Sequence, residues 1–115
     1  MITPQQTREI ALGLPETSED PHFERTAFKV KGKIFATMAI KDETLHLRLT
    51  PGHVATMTQV DPKAYEKVQW GKTDNWLRAV LTHADPADVE DLLIDAWYER
   101  APARLAASVD LKSSR

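Results

Sequence analysis

Two runs of alternating apolar and polar residues, Lys33–Ile40 and Thr44–Leu49, constrain this chain more than any other feature. A period of two is the pattern of half-buried strands. Asp42-Glu43 between the runs predicts a tight connection. With Lys41 opposite Thr44, Ile40 meets Leu45, Met38 meets Leu47 and Ala36 meets Leu49, and all six share one face. A one-residue slip would turn that set over, so the register is strongly specified. The other face carries Phe35, Thr37, Ala39, His46 and Arg48.

The flanking segments supply the remaining elements. Thr3-Pro4-Gln5-Gln6 reads as a helix start with a cap, a first-turn proline and a capping box. Thr7, Ile10, Ala11 and Leu14 follow at helical spacing, and Gly13 and Pro15 end the helix near Leu14. Glu16–Pro21 reads as a polar acidic loop, and His22–Val30 as extended, with Phe28 in the core. Gly32 marks a turn, and a three-residue loop ending in glycine keeps Phe28 on the face of Ile34. Thr50-Pro51 opens a short helix through Val54, Met57 and Val60. Tyr65–Trp70 and Trp76–Leu81 form a second hairpin across Gly71–Asn75, with Leu77, Ala79 and Leu81 on one face and Trp76, Arg78 and Val80 on the other.

Asp85-Pro86-Ala87-Asp88 starts the strongest helix, where acids in the first turn oppose the positive end of the helix dipole. Its Val89, Leu92, Leu93, Ala96 and Trp97 make an apolar stripe wide enough to cover a sheet. Pro102 breaks it, and Ala103–Ala107 adds at most a turn. The expected architecture is a two-layer α+β domain over residues 1–107: an antiparallel five-stranded sheet with helices on one face, in the order α-β-β-β-α-β-β-α. Residues 108–115 read as a flexible tail.

Composition limits the chemistry. A chain of 115 residues has room for one core. The absence of cysteine removes disulfides, thiolate catalysis and Cys-based metal sites, and fits a cytoplasmic setting. The polar, proline-broken MITPQQTREI is unlike a signal peptide, and no apolar run suits a membrane span. The net charge of −2 argues against a protein dedicated to nucleic acid, but its distribution is uneven. Residues 22–50 hold six bases against three acids, and residues 85–101 one base against six acids. Such asymmetry steers an anionic partner to one side, although ordinary solvated faces would produce the same counts.

Leu14-Pro15-Glu16, Pro21-His22-Phe23 and the run from Phe28 to Ala36 resemble the opening of the MmcQ/YjbR-like proteins. Leu45–Leu49 with its short helix, Trp70-Gly71-Lys72, Trp76, Val80-Leu81 and the closing acidic helix match in order and spacing. The resemblance runs from about Thr3 to Ala107. It implies a YjbR-like, secretion-chaperone-like α+β fold and DNA binding through a double wing of hairpins. No catalytic residues come with it.

Lys29, Lys31, Lys33, Arg48, Lys67, Lys72 and Arg78 are the candidate nucleic-acid contacts, because lysine and arginine neutralise phosphates. Phe35, Trp70 and Trp76 are the candidate aromatic surface for stacking. The bland alternatives are that the lysines blunt sheet edges and that Trp70 and Trp76 pack on each other or cap the core. Asp88, Asp91, Asp95 and Glu99 line one helix face, and Asp91 and Asp95 have a spacing that could hold a hard cation. More often such a stripe is a solvated back. His22, His46, His53 and His83 have no paired metal spacing, and neither a nucleophile-elbow nor a phosphate-loop motif is present. No cofactor or metal is expected. The expectation is a non-enzymatic cytoplasmic monomer that binds DNA. The alternative is a protein- or small-ligand-interaction domain using an aromatic groove near Trp70 and Trp76.

Overall fold

The alternating runs form the centre of a six-stranded antiparallel sheet in the order β1-β2-β3-β4-β6-β5. The computed structural model describes residues 1–22, 24–70 and 73–112, the side chains at 22, 69 and 70 excepted. Along the chain the elements are α1 (Pro4–Leu12), β1 (Thr17–His22), β2 (Arg25–Val30), β3 (Lys33–Ala39), β4 (Thr44–Arg48), α2 (Pro51–Val60), β5 (Tyr65–Trp70), β6 (Thr73–Val80), α3 (Pro86–Arg100) and α4 (Ala103–Ala107).

The sheet has six strands rather than the expected five, because Thr17–His22 is a strand and not a loop. Its sequence, TSEDPH, has no apolar residue to announce it. As an edge strand it needs none, and its proline is tolerated there. Glu19 stands opposite Phe28 and accepts hydrogen bonds from Arg8 Nε (2.8 Å) and Thr26 Oγ1 (2.7 Å). A carboxylate turned toward the helix side also protects the edge from pairing with another chain.

The β3–β4 hairpin has the expected faces in a different register. Met38 pairs with Leu45 and Ala36 with Leu47, two residues from the expected alignment. A shift of two preserves which side chains face the core, so Ala36, Met38, Leu45, Leu47 and Leu49 are all buried. Ile40 does change place. It sits in the four-residue connection, closed by Glu43 N–H donating to Ile40 C=O (3.2 Å), and is 57% exposed.

The β2–β3 turn has two residues, not three. Lys31 (φ 50°) and Gly32 (φ 83°) both take left-handed φ, as a type I′ turn requires. A bulge follows: Phe28 pairs with Ala36 but Lys29 with Ile34, leaving Phe35 as the extra residue. The bulge reverses the alternation, so Phe35 enters the core and Ile34 turns to the opposite face. The connection of the second hairpin is also shorter than expected, since β6 begins at Thr73 opposite Trp70.

The caps form as their residues dictate. Thr3 and Gln6 complete the capping box, Thr50 Oγ1 accepts from His53 N–H (3.2 Å), and Asp85 accepts from Ala87 N–H (2.8 Å). The α3 stripe Val89, Leu92, Leu93, Ala96 and Trp97 is buried against β3 and β4, joined by Ile94. His53 Nε2 lies 3.9 Å from Asp95, which places α2 on the same face as α3. Val60 points away from the core and is 71% exposed. Residues 109–112, expected in a tail, dock on α3: Tyr98 Oη accepts from Leu111 N–H (3.0 Å) and Lys112 pairs with Asp95.

Trp97 is fully buried and its indole N–H donates to Pro15 C=O (2.9 Å), tying α3 to the segment that leads into β1. Trp97→Ala should therefore cost about 3–5 kcal/mol, read as a lower urea midpoint at unchanged slope.

Candidate functional site

With the helices on one face, the other face of the sheet presents the alternate residues of every strand. Cross-strand pairing fixes their rows. Thr37 stands opposite His46, His46 opposite Arg78, and Arg78 opposite Glu66. In the next row Arg48 stands opposite Trp76, and Trp76 opposite Val68. Ala27, Thr37 and Ala39 make a floor of small buried residues. Arginine stems can lie over such a floor with their charged heads in water.

His46 is the centre of this face. Its Nε2 accepts from Arg78 Nε (3.4 Å), while its Nδ1 is buried with no hydrogen-bond partner among the described residues. Arg25 donates from Nε to Thr37 Oγ1 (3.2 Å) and from Nη2 to Thr37 C=O (3.4 Å). Burial first, and then the charges of Arg25 and Arg78, hold the imidazole down to about 4. Burial, with Arg78 next, also lowers the Arg25 guanidinium. The face therefore has a neutral imidazole near two cations, of which Arg78 is balanced by Glu66 and Arg25 is partly offset by the charge of Asp42.

The expected contacts divide into groups. Lys29, Arg48 and Arg78 lie on the helix-free face, and Lys31 and Lys33 at the β2–β3 tip. Lys67 stands opposite Leu77, which takes it to the helix side of edge strand β5. Lys72 and the Trp70 side chain lie outside the described residues. Phe35 is buried and supplies no aromatic surface. Trp76 is half-buried on the helix-free face. Lys29 pairs with Asp20 (2.8 Å), Lys31 with Glu16 (3.8 Å) and Lys67 with Asp74 (3.3 Å). Arg25, Lys33 and Arg48 have no ion pair among the described residues. Arg25 was absent from the expected set, although counting back by twos from Lys29 through Ala27 places it on their face, opposite to that of Phe28.

The antiparallel order has a further effect. In β2-β3-β4-β6-β5 each strand opposes its neighbour, so the β2–β3 and β5–β6 tips leave the sheet at the same end, flanking the end of β4. At that end, beside the β2–β3 tip, is a notch of about 390 Å³ lined by Gly32, Lys33, Ile34, Thr37, Trp76 and Arg100.

The acidic side of α3 does not gather into a cation site. Asp95 pairs with Lys112 and lies 3.9 Å from His53 Nε2, and no group of three His, Asp or Glu among the described residues is placed to hold a metal ion. Among the described residues no helix is long and apolar enough to cross a membrane.

A family model described as YjbR matches residues 12–99. The fold is similar to that of a solved Deinococcus radiodurans protein, DR2400, described as a DUF419 domain. The TM-score is 0.77 at 21% identity, over 86% of this chain and 78% of that one. It is also similar to a solved protein from Pseudomonas syringae, with a TM-score of 0.67 at 13% identity, over 86% of this chain and 99% of that one. No curated protein matches the chain.

The histidine at the centre of the open face gives a pH signature. In the unfolded chain its imidazole takes a proton near 6.5, but in the folded chain only near 4, so unfolding takes up a proton between those values. Stability from this site should be complete above pH 6.5 and decline as pH falls toward 4. A His46 titration midpoint near 4 by NMR is expected, moving upward in Arg78→Ala; a midpoint near 6.5 would contradict the described environment.

Proposed function

The chain belongs to the YjbR family, and from that premise we propose that it is a non-enzymatic domain that binds nucleic acid along the helix-free face of its sheet, as a cytoplasmic monomer. The observation that carries this reading is the placement of Arg25, Arg48 and Arg78 on that face, with Lys33 at its end, while the acidic helix α3 packs on the other. Half-buried arginines with their charged heads toward solvent reach phosphates, and the low potential on the α3 side turns a polyanion toward them. The ion pairs of Lys29, Lys31, Lys67 and Arg78 reduce what those residues contribute, so Arg25, Arg48 and Lys33 carry most of the contact. Phosphate contacts of this kind position a strand without reading its sequence.

The small-ligand reading has one observation in its favour, the notch beside Trp76. A pocket of that size suits a compact ligand.

Fluorescence anisotropy of labelled DNA across a salt series tests the proposal. With about four phosphates neutralised, log affinity for duplex DNA should fall against log salt with a slope near −3.6. Arg48→Gln should weaken binding to all sequences and flatten the slope by about 0.9. Lys112→Gln, on the α3 side, should leave both unchanged. Absence of binding to single-stranded and duplex DNA at low ionic strength would overturn the reading.

A further inference from the structure

The notch beside the β2–β3 tip lies where the sheet is incomplete. β3 begins at Lys33, but its pairing with β4 begins only at Ala36. The bulge at Phe35 removes that ring into the core and leaves Ile34 as the wall. Gly32 has no atom near the position of an added Cβ, so the tip leaves the mouth open. Trp76 contributes a half-buried indole from β6.

Arg100 reaches this notch from the last turn of α3, the element that otherwise packs on the opposite face. Its Nε is buried and has no hydrogen-bond partner among the described residues. That N–H is closed to a ligand, but Arg100 has no ion pair among the described residues, and the fork of its two terminal nitrogens matches two oxygens of a phosphate or carboxylate. Lys33 adds a second cation with no ion pair among the described residues. Two cations lining one small notch favour an anion that offers oxygens in several directions, which suits a tetrahedral phosphate better than a planar carboxylate. The indole and Ile34 favour a flat ring beside that charge. A phosphate next to a planar ring is the chemistry of a nucleotide whose base is unpaired. A duplex keeps its bases stacked inside and has no ring to offer here.

We propose that this notch binds one unpaired nucleotide, its base against Trp76 and its phosphate on Arg100 and Lys33. The inference builds on the sheet-face reading, in that a strand leaving the notch would continue over Arg48, opposite Trp76, toward Arg78. The ligand chemistry has two sources, a single strand or a free mononucleotide.

Calorimetry with adenosine 5′-monophosphate, adenosine and inorganic phosphate, alongside single-stranded and duplex oligonucleotides of one sequence, tests it. The monophosphate should bind at one site and more tightly than either fragment. Trp76→Ala should weaken it about tenfold. Arg100→Gln should also weaken it about tenfold or more, and Lys33→Gln less, in a salt-dependent way. Near-UV circular dichroism checks that the Trp76 and Arg100 variants fold, and Lys33→Gln, an exposed change, keeps the test valid if they do not. A single strand binding more tightly than both the monophosphate and the duplex identifies the strand as ligand; a single strand binding no more tightly than the monophosphate identifies the free nucleotide. If the monophosphate fails to bind and oligonucleotides bind wild type and the Trp76 and Arg100 variants equally, the notch proposal is overturned while the sheet-face reading stands. If the monophosphate binds and no oligonucleotide does, the sheet-face reading falls and the notch remains.

Discussion

The packing of α3 on one side of the sheet is the constraint on which the rest of the molecule depends. Its apolar stripe is buried on β3 and β4, and Trp97 adds a directional bond to Pro15, 82 residues earlier in the chain. A sheet with one covered face needs alternating strands, and alternation leaves a second face made of the intervening residues. That second face holds Arg25, His46, Arg48, Trp76 and Arg78. The residues available for binding are therefore a by-product of the register that buries the core, and a substitution altering the register would disturb both.

The fold was legible where burial imposes a period and opaque where it does not. The α3 stripe, the caps, the core side of β4 and β6 and the Ala36–Met38 part of β3 follow from spacing alone, because each misplacement would expose apolar side chains. β1 could not be read that way: at an edge, with its inward carboxylate satisfied by Arg8 and Thr26, it carries no apolar period. The β3–β4 register escaped for a related reason. Sliding by two leaves the same side chains inside, so the pattern cannot distinguish the two alignments except through Ile40. Phe35 was misplaced because a bulge changes the parity, and nothing in KGKIFATMA marks where the extra residue goes.

The site was legible in part. Alternation correctly put Arg48, Arg78 and Trp76 on one face. It did not identify which cations are neutralised locally, since Asp20, Glu16 and Asp74 become partners only through cross-strand geometry. Counting charge by segment hid Arg100 most completely. It is the single base among six acids in residues 85–101, and a segment sum treats it as part of an acidic helix. In the fold its side chain lines the notch beside the basic hairpin, at the end where α3 finishes.

Net charge is thus a weak guide to what this domain can hold. The acids that make the total negative lie largely along α3, where Asp95 pairs with Lys112. On the opposite face a neutral imidazole lies near two guanidinium groups. Were His46 protonated, it would add a positive charge beside Arg25 and Arg78, and the repulsion would oppose folding; burial first, and then those charges, keep it neutral. An anion arriving there would relieve the remaining repulsion between the arginines and make protonation of His46 easier. Binding along this face should consequently be coupled to proton uptake in the range below neutrality, whereas lysines on a solvated tip would give no such coupling.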